Sequence, residues 1–156
     1  MRDALFERER ERERELEQLG RLIGSAAAGD AALALIEGPA GIGKSRLLVE
    51  ARARAEAAGF RVVAARGGEL ERELPFGIVR QLFEPMLQDQ DSQARWLHGP
   101  AEAAARVFVP PAEATGLGPT SFDVLHGLFR LTDDLAGDAP LCIVVDDLHG
   151  RRQLAV

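Results

Sequence analysis

The sequence predicts an α/β fold, a three-layer sandwich with a mostly parallel sheet, and three observations carry that expectation. The unbroken apolar run Ala31 to Ile36 has the length of a buried strand and leads into a glycine-rich turn followed by residues at helical spacing. A second apolar run, Leu141 to Val145, ends in the paired acids Asp146 and Asp147. Between them, Phe60 to Ala65 reads as a further strand set among helical stretches, the alternation that builds parallel sheets.

The first element is a helix expected from about Glu7 to Ala28. Residues 7 to 15 alternate Glu and Arg, which places opposite charges at i,i+3 and like charges at i,i+4, so the two effects nearly cancel. Leu16, Leu19, Ile23 and Ala27 then share one face, and Gly29-Asp30 ends the helix. Residues 1–30 are therefore a charged N-terminal helix whose first half is a solvated surface and whose second half packs.

The expected strand 31–36 aims the most informative segment of the chain. Gly38-Pro39-Ala40-Gly41-Ile42-Gly43-Lys44-Ser45 fits the pattern G-x-x-x-x-G-K-[ST], a phosphate-binding loop of the Walker A kind. Gly38, Gly41 and Gly43 allow positive φ and turn backbone N–H groups inward, Pro39 stiffens the entry, and Ala40 and Ile42 complete the nest. Lys44 is the only lysine in a chain of 19 basic residues, and it stands where a compact charge can neutralise β- and γ-phosphates. The Ser45 hydroxyl is placed to coordinate Mg²⁺. Leu47, Leu48, Ala51, Ala55 and Ala58 recur at helical spacing, with a Glu50/Arg54 pair and Gly59 as a stop, so the loop ends at a helix N-terminus, which favours anions.

After the strand 60–65 and a Gly-Gly-Glu turn, Leu74-Pro75-Phe76 opens a helix with Phe76, Val79, Leu82, Phe83 and Leu87 as its stripe, bent or broken at Pro85. Arg95 to Phe108 is expected to be helical with an interruption at Gly99-Pro100, and 109–119 to be a loop. Thr120-Ser121 then caps a helix whose Phe122, Leu125, Leu128, Phe129 and Leu135 are expected to face inward, with His126 beside that stripe. Gly137 to Pro140 turns the chain into the strand 141–145. At its end Asp146 would hold the Mg²⁺ shell, as in a Walker B strand, and Asp147 would orient or deprotonate an attacking water. Cys142 reads as a small buried hydrophobe.

Composition narrows the function. The 156 residues are 46% hydrophobic and 28% charged, ordinary for one globular domain, and no stretch resembles a membrane span or a secretory signal. One cysteine excludes a disulfide framework and fits a cytoplasmic home. A net charge of −6 without a basic helix argues against nucleic-acid binding. His98, His126 and His149 are too dispersed for zinc.

GPAGIGKSRLL, GGELERELPFGIVRQLFEPML and TSFDVLHGLFRLTDDLAGDAPLCIVVDDLH together closely resemble the N-terminal ATPase domain of large LuxR-type bacterial transcriptional regulators, of the STAND and origin-recognition-like AAA group. The resemblance spans roughly residues 12 to 149 and implies a P-loop NTPase core over 31–149. It implies ATP or ADP with Mg²⁺ as ligands, Gly38 to Ser45 as the phosphate site, Ser45 and Asp146 at the metal, and Asp147 in catalysis. It also places Arg12, within Arg12-Glu13-Arg14-Glu15-Leu16, near the adenine. After His149 the likeness ends, and residues 150–156 form a non-matching tail. The implied fold is then incomplete at its C-terminus. It lacks a central strand with its sensor residue and an arginine finger, and it leaves exposed sheet edges through which the chain would self-associate. The expected function is an ATP/ADP-binding switch module with little or no hydrolysis of its own. A small P-loop kinase or phosphotransferase, and a non-functional remnant of such a domain, are the alternatives.

Overall fold

In the computed structural model the described residues are 2–68, 76–108 and 122–147, with side chains from residue 11 onward. The turn residues beyond Gly68, the loop 109–119, the Thr120-Ser121 cap, His149 and the tail 150–156 lie outside them. The chain divides into two compact units: Met1–Val62 with Ala139–Val144, and Val63–Asp138 with Val145–Val156.

The first unit is built on two helices, α1 (Arg2–Ala27) and α2 (Lys44–Ala57). Both stop for the same reason. Gly29 and Gly59 adopt left-handed φ of 103° and 85°. That turn lets Asp30 N–H reach the Ser25 carbonyl at 3.2 Å and Phe60 N–H reach the Ala55 carbonyl at 3.0 Å, satisfying carbonyls the helix ends would otherwise orphan. Buried Phe60 follows Gly59, with Ala55 fully buried on the last turn. Leu16, Leu19 and Ile23 of α1 are half-buried, and α2 buries Leu47, Ala51 and Ala55. Arg54 of α2 donates to the Leu16 carbonyl of α1 at 3.0 Å.

The connection between the helices departs from expectation. Residues 31–39 have no regular secondary structure, and Leu33 and Leu35 are 92% and 78% exposed. An apolar run becomes a strand only where a neighbour pairs its N–H and C=O groups. The only sheet among the described residues joins β1 (Arg61–Arg66) to β2 (Leu141–Asp146), so this segment has no partner strand. The pair is parallel. At one end Arg61 N–H bonds the Pro140 carbonyl at 2.7 Å, and at the other Gly67 N–H bonds the Asp146 carbonyl at 2.8 Å. Helices with a parallel strand pair agree with the α/β class.

In the second unit, α3 (Gly77–Phe83) passes into a 3-10 turn, Glu84–Met86, at Pro85, where the sequence predicts a break. The next helix, α4 (Gln90–Trp96), starts five residues before the expected Arg95, because Asp89 caps it by accepting from Ser92 N–H at 2.7 Å. The interruption at Gly99-Pro100 is real, but Gly99–Ala104 is a 3-10 helix, and only α5 (Ala105–Phe108) resumes α geometry. Arg95 closes α4 by pairing with Asp138 at 2.8 Å, and its guanidinium lies 4.5 Å from the ring centroid of Trp96.

The long helix α6 (Phe122–Asp138) turns a different face inward from the one expected. Val124, Gly127, Leu128, Leu131 and Leu135 are buried, whereas Phe122 and Phe129 are 78% and 63% exposed and Leu125 is exposed too. Both stripes satisfy a 3.6-residue period. Gly127 decides between them: a Cβ there would lie 2.7 Å from Ala104 N, so only this face lets the 99–104 backbone approach closely. Ala104, Val107, Val124 and Leu128 form the resulting core, with Phe76, Val79, Leu97 and Phe108 packed against it. On the outer face His126 stacks between Phe122 and Phe129, with centroids 6.0 and 6.5 Å away. No helix among the described residues is long and apolar enough to cross a membrane.

Candidate functional site

The glycine-rich segment folds as a loop capping α2. Gly41 and Gly43 take φ of 79° and 101°, as a nest requires, and Gly43 is the N-cap of the helix. Gly38 is not among the positive-φ residues. A Cβ there would sit 3.1 Å from the Ile42 Cγ2 methyl, a tight contact that this exposed side chain would have to yield to. Leu47 N–H makes the first helical bond, to the Gly43 carbonyl at 3.0 Å. The N–H groups of Lys44, Ser45 and Arg46 therefore have no acceptor within the helix, and no acidic residue occupies its first turn. This is an anion-attracting end with no acidic side chain of its own helix turn to oppose it.

Lys44 curls over its own loop. Its Nζ donates to the Gly38 carbonyl at 2.8 Å and to the Pro39 carbonyl at 3.1 Å, which parks the ammonium above the nest. Ser45, the second residue of α2, is exposed, as are Pro39, Ala40 and Ile42. A cavity of about 640 Å³ opens here, bounded by Gly38, Pro39, Ile42, Gly43 and Lys44 of the loop, by Ile36 and Glu37 before it, and by Arg46 and Leu47 of α2. Its far wall is α1, which contributes Glu11, Arg12 and Glu15. The volume suits a nucleotide-sized ligand, and the lining offers backbone donors, a cation and two exposed or half-exposed aliphatics. The structure thus brings Arg12 to the same cavity as Gly38, Gly43 and Lys44.

The acids at the end of β2 belong to the second unit. Asp146 accepts from Asp147 N–H at 2.9 Å, a bond made where Asp147 takes the uncommon φ of 52°. Arg66, ending β1, donates from Nε at 3.0 Å and from Nη2 at 2.8 Å to one Asp147 carboxylate oxygen. That hydrogen bond, with the charges of Asp147 and Asp146, raises the Arg66 guanidinium above its ordinary value. Gly67 follows, and a Cβ there would overlap the Asp147 carbonyl oxygen, so the turn after β1 requires glycine. Sequence reasoning missed Arg66 and Gly67. Their only signal is an Arg-Gly-Gly run at a strand end, which takes a known strand neighbour to interpret. Cys142 sits in β2 half-buried, and burial pushes its thiol up while the Arg52 charge opposes the shift. That environment suits a packed small residue better than a thiolate nucleophile.

A family model of the AAA ATPase domain matches residues 10–155, nearly the whole chain, and the protein belongs to that family. The match marks it as a nucleotide-binding module. No curated protein and no solved structure matches it.

Proposed function

We propose that this AAA ATPase domain is an ATP/ADP-binding switch module of the kind that large LuxR-type transcriptional regulators carry, with little or no hydrolysis of its own. The observation that carries the reading is the loop Gly38 to Ser45: the left-handed Gly43, a helix N-terminus with no acidic residue in its first turn and the only lysine of the chain meet at one cavity. In this reading Lys44 and the loop N–H groups bind the β- and γ-phosphates. Ser45 and Asp146 are the metal ligands, for which a hydroxyl and a carboxylate are the hard oxygen donors Mg²⁺ prefers. Asp147 is the group that orients or deprotonates water, within the three-layer core the family resemblance implies.

One further feature supports a switch over a fast enzyme. Arg66 holds one carboxylate oxygen of Asp147 in an ion pair, which favours the resting carboxylate and weakens it as a base toward water. Titration calorimetry with ATP and ADP, followed by a phosphate-release assay, tests the proposal. Binding with turnover well below about 1 s⁻¹ is the expected result. Absence of binding heat removes the reading, and faster turnover abolished by Asp147→Asn replaces the switch with a complete ATPase.

One observation favours a second reading, a domain that keeps the loop without a competent binding fold: the exposed apolar segment carrying Leu33 and Leu35 directly before the loop. A cooperative thermal melt displaced upward by ATP decides against it. The same segment also supports self-association at apolar edges, which would appear as concentration-dependent elution on size exclusion.

A further inference from the structure

The Glu-Arg run of α1 reads from sequence as a solvated face, and the family resemblance assigns Arg12 to the base. The geometry points elsewhere. A Cβ on Gly43 would lie 3.5 Å from Arg12 Nη1, so the guanidinium faces the bare side of the last loop residue before α2. Gly43 directly precedes the N–H groups of Lys44, Ser45 and Arg46 that lack helical acceptors, and an anion seated on those donors comes within reach of Arg12.

We propose that Arg12 is a phosphate-binding residue, a second cation that α1 brings to the loop and that contacts the polyphosphate of the nucleotide, not its base. The proposal rests on the nucleotide-binding reading above and gives one residue of that site a definite partner.

The charges around the cavity favour it. Glu11, Glu15 and Glu37 line the same walls as Arg12, Lys44 and Arg46. Without Arg12, α1 would present the phosphates with the carboxylates of Glu11 and Glu15 alone, which repel them. A polyphosphate also carries more negative charge than Lys44, Arg46 and a helix terminus of about half an elementary charge can offset. Arg12 is half-buried, and no hydrogen bond or ion pair ties its guanidinium to a described residue. Lys44, by contrast, must give up two carbonyls to engage phosphate. The planar fork of arginine suits two phosphate oxygens at once. The base is better matched by the aliphatic side chains of Ile36 and Ile42, which line the cavity too.

Competition titrations against a fluorescent ATP analogue test this on the full chain. ATP, inosine triphosphate and inorganic tripolyphosphate serve as competitors, on wild type, Arg12→Ala, Arg12→Lys and Lys44→Ala. Arg12→Ala is expected to weaken all three competitors by one common factor, roughly 10- to 100-fold, and Arg12→Lys to restore part of the loss. A loss for ATP that disappears with inosine triphosphate assigns Arg12 to the base and overturns the proposal. So does tripolyphosphate binding that ignores the substitution. Lys44→Ala separates the two levels of the argument. If it weakens ATP while Arg12→Ala does not, only the Arg12 assignment falls; if neither variant changes ATP binding, the loop is not the nucleotide site.

Discussion

The phosphate loop and the acidic end of β2 are both short polar segments hung on regular elements, yet they are held in opposite ways. Everything that shapes the loop is local: the glycines at 41 and 43, the helix that begins at Lys44, and lysine contacts reaching back only five and six residues. The acidic end is held from a distance. Asp147 is fixed by Arg66, 81 positions earlier, and by the close approach of Gly67, just past the end of the neighbouring strand. A locally encoded segment keeps its shape wherever its own residues are intact, whereas a tertiary one needs the strand pair to form first.

The strongest way to break the comparison is Lys44→Ala. The side chain is at the surface of its loop, so the melting temperature should hardly move, while ATP affinity should fall by roughly 30- to 150-fold through loss of a charge-assisted contact of about 2–3 kcal/mol. Calorimetry and a thermal melt on the same sample check both halves. The mirror experiment is Gly67→Ala, which forces a methyl against the Asp147 carbonyl. It should cost about 1–3 kcal/mol and several degrees of melting temperature while leaving metal-free ADP affinity intact. Equal damage to ADP binding would show that the loop is not self-sufficient.

Asp146→Asn sharpens the contrast between metal and phosphate. If Asp146 acts through Mg²⁺, Mg-ATP affinity should drop roughly tenfold and ADP affinity in EDTA should stay nearly constant. Loss of both would assign Asp146 to folding. The smallest effect is expected at Asp89, the cap of α4. Bonds from Ser92 N–H and Oγ hold its carboxyl below the ordinary carboxylate value, so the cap stabilises α4 above that value and is lost as pH falls through the lowered pKa. Asp89→Asn, which still accepts a hydrogen bond but does not titrate, should flatten the acid limb of a melting-temperature profile below about pH 4.

The sequence alone revealed the parts whose causes are local. The glycine stops at 29 and 59, the break at Pro85, the loop and its helix, and the strands near 61–66 and 141–146 all appear close to where their residues point. What it hid depends on neighbours far away in the chain. The run 31–36 has the composition of a strand but no pairing partner among the described residues, and composition cannot supply one. On α6 two apolar stripes compete, and the choice rests on Gly127, a residue that hydrophobic periodicity counts as blank. Arg66 was invisible for the same reason, since a terminal arginine of one strand gains meaning only beside the acids of the next.

The Arg95 guanidinium over Trp96 has a spectroscopic consequence. The chain has one tryptophan and no tyrosine, so its near-ultraviolet emission comes from a single indole in the second unit, while the phosphate loop lies in the first. Emission excited at the red edge is thus a one-point reporter that nucleotide binding reaches only if the two units communicate. A change in its wavelength or quenching on adding ATP would measure that communication without a label. A silent indole beside a clear calorimetric signal would mean that the loop fills without the rest of the domain responding.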